Sequence, residues 1–272
     1  MQDNGWDIRL ENLRLGYDDT VVLEDISVTL PAGKISVILG GSGDGKSTLL
    51  RHILGLKRPM GGKIFLGPHD LFKLSSKEFR KVRRRMGVLF QDGALLGSLT
   101  LGENIALPLT EHTRLDKATI QKIVHHKLEL VGLAQFAEYY PNQLSGGMRK
   151  RAGLARAIVT DPPILLCDEP TSGLDPINSA QMDRLLLDMK KHFPDMSIIV
   201  VSHDLASLYT IADYALVLHD GKAVYSGGIE QLKGTDDPYL RQFLDRSAGD
   251  MKTPDLKLGE EARAALQAWL NK

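Results

Sequence analysis

The chain has 272 residues, enough for one large domain or two small ones with ample core. Its 34 basic side chains balance 34 acidic ones, so the formal net charge is zero and nothing marks it as a nucleic-acid binder. The single cysteine, Cys167, excludes a disulfide framework or a cysteine-built zinc site and suits a reducing cytoplasm. The polar, acidic start does not read as a secretory signal, and no apolar run approaches the roughly 18 residues that a membrane helix needs.

The first element with a clear signature is KISVILG (34–40), an unbroken apolar run of the kind expected for a strand buried on both faces. It leads into LGGSGDGKSTLL (39–50), where Gly40, Gly45, Lys46 and Ser47 fit the pattern G-x-x-x-x-G-K-[ST]. Glycine lets the backbone curl so that its N–H groups point inward, and the helix that follows adds the positive end of its dipole. In this reading Lys46 reaches terminal phosphates and the Ser47 hydroxyl binds magnesium; the plainer alternative is a glycine turn capping a helix. Tyr17, in LGYDDTVVL, is a candidate to stack on an adenine ring, although one tyrosine among seven is easily a core residue.

Further along, RKVRRR (80–85) reads as the solvated face of a helix. MGVLFQ reads as an edge strand ending in Gln91, a candidate sensor of magnesium or the attacking water. Residues 92–158 carry helical patterns and few strand signals, as expected for a helical insertion into an α/β core. Within PNQLSGGMRKRAGLARAI, Ser145, Gly146 and Gly147 make a second glycine-rich helix start suited to an anion, with Ser145 as its cap. One triphosphate rarely needs two such loops from one subunit. A two-fold dimer that sets the loop at 40–47 of one copy against 145–147 of the other resolves this.

PILLCDE (163–169) ends a second buried run with adjacent carboxylates, costly there unless a cation or a reaction uses them. Asp168 is the candidate magnesium ligand and Glu169 the candidate to polarise an attacking water. Helical spacing follows in SAQMDRLLLDMKKHF (179–193). A third apolar run, SIIVVSH (197–203), ends in His203, placed to contact a terminal phosphate. Strands alternating with helices predict a parallel sheet with its ligand at the strands' carboxyl ends. After residue 230 the pattern weakens to a short helix at TDDPYLRQFLDR and a terminal amphipathic helix carrying Leu266, Trp269 and Leu270 on one side.

Taken together, GGSGDGKS, Gln91, LSGGM, ILLCDE, SGLDP and His203 stand in the order seen in ATP-binding cassette ATPases, and the resemblance spans residues 6–230. It implies a RecA-like P-loop NTPase fold of class α/β, with an antiparallel β subdomain and an inserted α-helical subdomain. Residues 6–91 and 159–230 would form the core, 92–158 the helical subdomain and 231–272 an extension. It implies that Gly40, Gly41, Ser42, Gly43, Asp44, Gly45, Lys46, Ser47 and Thr48 form the Walker A loop that binds ATP. Ser47, Gln91 and Asp168 would hold Mg²⁺, Glu169 would be the catalytic base, His203 the switch residue, Leu144–Met148 the signature, and Ser172–Asp175 the D-loop. FQDGALLGSLTLGENIALPL (90–109) and EHTRL (111–115) further resemble the ATPases of Mla/MCE lipid transporters. That resemblance implies a homodimer beneath a permease on the cytoplasmic face of the inner membrane, an MCE-domain protein in the complex, and in some systems a STAS-domain partner. Ala94, Leu95 and Leu96 are expected to meet the permease. An ATPase for amino acids or lipoproteins, or a non-transport cassette, is the alternative.

Two residues depart from the family pattern. Gly41 stands where proline is common and is expected to loosen the loop. Asp44 puts a carboxylate inside a phosphate loop, and its side chain is expected to point out toward the dimer partner.

Overall fold

Strand β1 (Ile8–Tyr17) opens the described part of the computed structural model, which covers residues 5–245 and 259–270. It pairs antiparallel with β2 (Thr20–Leu30) on one side and β4 (Gly61–Leu66) on the other. The two-residue β5 (His69–Asp70) completes a four-stranded sheet in the order β2-β1-β4-β5. Asn12, with φ 47°, sits at a register shift in β1, so the buried positions step from Leu10 to Leu13 rather than to a residue two further on.

The second sheet has six strands. They are β3 (Ile35–Gly40), β6 (Met86–Leu89), β7 (Ile164–Asp168), β8 (Ser197–Val201), β9 (Tyr214–His219) and β10 (Lys222–Gly228), in the order β10-β9-β3-β8-β7-β6. All neighbours run parallel except β9 and β10, whose two-residue turn, Asp220-Gly221, takes the positive φ angles that a tight hairpin needs. Every residue of β3 and β8 is buried, which is why their sequences read as continuous rather than alternating. β6 is the edge strand expected at MGVLFQ.

Helix α1 (Lys46–Ile53) follows β3 and drives Leu49, Leu50 and Ile53 into a core shared with Ile8 and Leu23 of the first sheet and Val201 and Leu216 of the second. Helix α2 (Ser76–Arg83) starts at a Ser75/Glu78 capping box and buries only Val82, so the arginine-rich run is the solvated face expected. A separate core forms where α3 (Leu101–His112), α4 (Lys117–Leu130) and α5 (Gly146–Ala157) meet through Leu101, Ile105, Leu128 and Ala152. Leu95 packs against this core, leaving Leu96 exposed in the segment expected to be apolar and open. Helix α5 lies hard against β6. A Cβ on Gly87 would fall 2.2 Å from the Ala157 carbonyl oxygen, and one on Gly153 would fall 2.8 Å from the Gly93 Cα.

Helices α6 (Pro176–His192) and α7 (Leu205–Ile211) flank β8, with Asp175 and Asp204 as their N-caps. Helix α8 (Ile229–Lys233) ends the first of two compact units, which divide between Lys233 and Gly234. In the second unit, α9 (Pro238–Leu244) is capped by Asp237, with proline in its first turn. Helix α10 (Glu260–Leu270) exposes Leu266, Trp269 and Leu270. No helix among the described residues is long and apolar enough to cross a membrane.

Candidate active site

Three adjacent parallel strands bring their carboxyl ends to one edge: β3 ends at Gly40, β7 at Asp168 and β8 at Val201. Backbone bonds lock this edge, from Glu169 N–H to the Val201 carbonyl at 2.9 Å and from Ser202 N–H to the Ile38 carbonyl at 3.1 Å. The pattern of buried runs with unusual residues at their ends thus becomes one site.

On the first strand the loop curls through Gly43 and Gly45, with φ 91° and 87°. A Cβ on Gly45 would fall 2.7 Å from Leu23, so the loop is pressed onto the first sheet. Gly45 starts α1 with no side chain capping the helix, which leaves the first-turn N–H groups for an anion. The buried Lys46 ammonium donates to the Gly40 and Gly41 carbonyls at 2.9 and 2.6 Å, and Ser42, Gly43 and Ser47 are exposed beside it. Thr48 is buried, and its hydroxyl lies 3.4 Å from the Tyr17 hydroxyl, to which Arg51 also donates at 3.0 Å. These bonds, Thr48 first, lower the Tyr17 pKa from its ordinary value. The Lys57 ammonium sits 4.0 Å over the Tyr17 ring, so an adenine would have only the other face.

Asp44 corrects an expectation. Its side chain does not point outward; it folds back on its own loop, where Oδ2 accepts from Gly41 N–H at 2.6 Å. Gly41 is therefore held rather than loosened. A lone carboxylate near a strong backbone donor closes a local turn at less cost than it stands free.

On the second strand, the Asp168 carboxyl is pushed up by burial and by the adjacent Glu169, with Arg51 and Lys46 pulling it back. Its buried Oδ1 has no hydrogen-bond partner among the described residues, as befits an oxygen reserved for a cation. Glu169 takes φ 50°, a strained backbone for a residue other than glycine, and its side chain is 14% exposed. Its Oε2 lies 2.8 Å from Nδ1 of His203, whose side chain, just beyond the third strand, is 63% exposed. The phosphate loop, the orphan carboxylate oxygen and the Glu169–His203 pair together fit a nucleotide triphosphate with a divalent cation. Gln91 is exposed at the start of the turn leaving β6.

The second glycine start goes elsewhere. Ser145 caps α5 by accepting from Met148 N–H at 3.2 Å, and Gly146 is exposed. A Cβ on Gly147 would fall 3.0 Å from Asn178 Oδ1. Asn178 is tied to Asp175, whose carboxylate accepts from the Ile177 and Asn178 N–H groups at 3.0 Å each and is held below its usual range by them and by the Asn178 side chain. The start of α5 thus abuts the start of α6. No hydrogen bond joins residues 145–147 to residues 40–48 among the described residues.

Sequence reasoning missed Lys150. This buried lysine of α5 donates to the Glu169 carbonyl at 2.9 Å and to the Ser172 carbonyl at 2.5 Å, so one ammonium pins both ends of the turn that carries the acid. Burial lowers its pKa, and Asp92 and Glu169 raise it in part. The signal was the buried spacing of Gly147, Lys150 and Leu154 on one helix face. Cys167, buried on β7 with its thiol pushed up by desolvation, is structural.

Comparison with known proteins agrees with this geometry. Residues 23–172, more than half of the chain, match the ABC transporter family. The probable ribonucleotide transport ATP-binding protein mkl of Mycobacterium tuberculosis is 44% identical over 240 residues, covering 88% of this chain and 67% of its own. The intermembrane phospholipid transport system ATP-binding protein MlaF of Escherichia coli is 42% identical over 224 residues, covering 82% and 83%. Among solved structures, the ATP-binding cassette MJ0796, a dimer in a post-hydrolysis state bound to ADP and Pi, superposes with a TM-score of 0.75 at 30% identity. It covers 82% of this chain and 98% of its own. The cbiO1 protein of Clostridium perfringens, part of the transporter complex cbiONQ, gives a TM-score of 0.78 at 27% identity over 89% and 96%. The strand-end site and these matches agree: the chain belongs to the ABC transporter family, as one of its ATP-hydrolysing cassettes.

Proposed function

We propose that this chain is the ATPase of a phospholipid transporter that works between inner and outer membranes. Two copies would lie head-to-tail beneath a permease on the cytoplasmic face of the inner membrane. The observation that carries the catalytic part is the Glu169–His203 contact beside the unpartnered Asp168 oxygen, at the strand ends that also present the phosphate loop. The cargo is supported by the relatedness to the phospholipid transport ATPase named above.

In this reading residues 6–91 and 159–230 act as the ATP core, 92–158 as the signature subdomain and 231–272 as an extension. Lys46 and the N–H groups of residues 43–48 cradle the phosphates, with Gly40, Gly41, Ser42 and Asp44 shaping the turn. Tyr17 stacks on the base. Ser47, Gln91 and Asp168 hold Mg²⁺, which when bound neutralises charge on the phosphates. Glu169 takes a proton from the attacking water as the bond to the terminal phosphate breaks, and ADP and phosphate leave. His203 orients Glu169 and faces the terminal phosphate. Ser145, Gly146 and Gly147 of the second copy close the site, with Asp175 at the dimer seam; the dimeric cassette MJ0796 supports that arrangement. An MCE-domain protein in the complex and a STAS-domain protein on the ATPase are further proposed partners.

A second reading, ribonucleotide transport, has the name of the mycobacterial relative in its favour. Affinity capture from detergent-solubilised native membranes, with mass spectrometry of the co-purifying proteins and lipids, separates the two. A permease with an MCE-domain protein and bound phospholipid is the expected result. A permease with neither would remove the lipid assignment and leave the ATPase.

A further inference from the structure

The two departures of the phosphate loop, Gly41 and Asp44, form one device. Asp44 Oδ2 accepts from Gly41 N–H at 2.6 Å, closing the first half of the loop on itself. The same oxygen lies 3.8 Å from Nδ1 of His219, the last residue of β9, the strand beside β3; His219 Nε2 is 3.5 Å from Asp220 Oδ2. The Asp44 side chain is 16% exposed between these two supports. Space around it is reserved. A Cβ on Gly41 would fall 3.1 Å from Oδ2, and one on Gly40 would fall 3.3 Å from it and 2.6 Å from the Leu218 carbonyl oxygen. A side chain at position 41 would crowd the carboxylate, and an imino acid there would also remove its donor. Glycine at 41 and aspartate at 44 therefore depend on each other.

A carboxylate in an anion-binding loop repels phosphate, so an aspartate here weakens binding unless its position returns more than its charge takes. The geometry points to such a return. A charge-assisted bond to a backbone N–H is among the stronger kinds. This one fixes the stretch between Gly40 and Gly45, glycine-rich and otherwise free to sample many conformations. We propose that Asp44 is a positioning residue for nucleotide binding. Clamped on Gly41 N–H and backed by His219, it holds the loop in its receptive curl before ATP arrives, with its carboxylate folded back on the loop. The inference rests on residues 40–48 being the ATP cradle.

The test compares wild type, Asp44→Ala, Asp44→Asn, Gly41→Pro and the Gly41→Pro/Asp44→Ala double variant. It measures ATP affinity by calorimetry, KM and kcat for ATP by phosphate release, and melting temperature as a check on folding. Asp44→Ala is expected to weaken ATP binding about tenfold, equivalent to about 1.4 kcal/mol. It should raise KM in step while kcat changes less than about twofold, the signature of lost ground-state positioning. Asp44→Asn keeps an acceptor for Gly41 N–H and is expected to restore most of the affinity. In the Gly41→Pro background, where the donor is gone, Asp44→Ala is expected to cost nothing further. Unchanged or tighter binding by Asp44→Ala, or an equal loss in both backgrounds, would overturn the proposal. If Gly41→Pro does not fold, Asp44→Ala against Asp44→Asn decides alone: equal affinities in that pair contradict the clamp. Wild type that hydrolyses ATP without using residues 40–48, shown by a silent Lys46→Ala, would instead overturn the cradle reading beneath it.

Discussion

Glu169, the proposed base, is positioned through its backbone. Its φ of 50° turns the side chain from the end of β7 toward His203, and Lys150 secures the turn by binding the carbonyls of Glu169 and Ser172. Replacing the acid with its amide keeps the shape but removes the base. Glu169→Gln is therefore expected to bind ATP normally while kcat falls by at least about 10²-fold, the lower end of a general base's contribution; isothermal titration beside a phosphate-release assay checks both halves. Lys150→Met should lower kcat about tenfold by loosening the turn, since a small misplacement of a catalytic group is expensive; the same assay reads it. At this scale Gly40, Gln91, Asp168, Glu169 and His203 were legible because each stands at the end of an apolar run, and Ser145, Gly146 and Gly147 because they open a helical pattern. Lys150 and the Gly41–Asp44 clamp were not. The first acts through a partner 19 residues away, and the second needs a backbone direction that one-letter spacing does not carry.

Among the elements, α5 and β6 meet only because glycines thin the contact. Gly87→Val would drive a side chain into the Ala157 carbonyl, which the glycine position approaches to 2.2 Å even for a Cβ. The expected loss is about 2–3 kcal/mol of unfolding free energy, typical of overpacking in a core that cannot shift, readable as a lower urea midpoint. The contact of α6 with α7 carries a pH dependence. Asp183 of α6 is buried, accepts from the Ser207 hydroxyl of α7 at 2.9 Å, and has an Oδ1 with no partner among the described residues. Burial pushes its carboxyl from 3.8 up to about 6, against the Ser207 bond and with help from Asp204. A raised carboxyl binds its proton more tightly in the folded chain, so its contribution to stability is complete below about pH 4 and is lost as pH rises through about 6. Asp183→Asn is expected to stabilise the protein by about 1–3 kcal/mol at pH 7.5 and to flatten this acid-side gain, as measured by denaturant titration across pH 4–8. The helices α1 and α6 and the buried strands β3, β7 and β8 were legible from helical spacing and unbroken apolar runs. The two-stranded start was less so, because a bulge at Asn12 breaks the alternation in β1.

For the whole molecule, the proposed site would be incomplete in one copy. The phosphate loop and the carboxylates share one edge of the sheet, while Gly147, beside Ser145 and Gly146, lies against Asn178 of α6, and among the described residues no hydrogen bond joins 145–147 to that loop. In the proposed head-to-tail dimer, two copies would complete each other's sites, the glycine start of one covering the nucleotide of the other. Ser145→Arg is then expected to abolish hydrolysis while leaving ATP affinity of the isolated chain within about threefold, a loss of transition-state assembly rather than of ground-state binding. The most direct measurement is sedimentation velocity on Glu169→Gln with and without ATP and Mg²⁺. The account expects a monomer without nucleotide, a dimer with ATP that persists because hydrolysis is blocked, and a return to monomer when Ser145→Arg is added. A Glu169→Gln chain that stays monomeric with saturating ATP, or that turns ATP over at the wild-type rate, would contradict it.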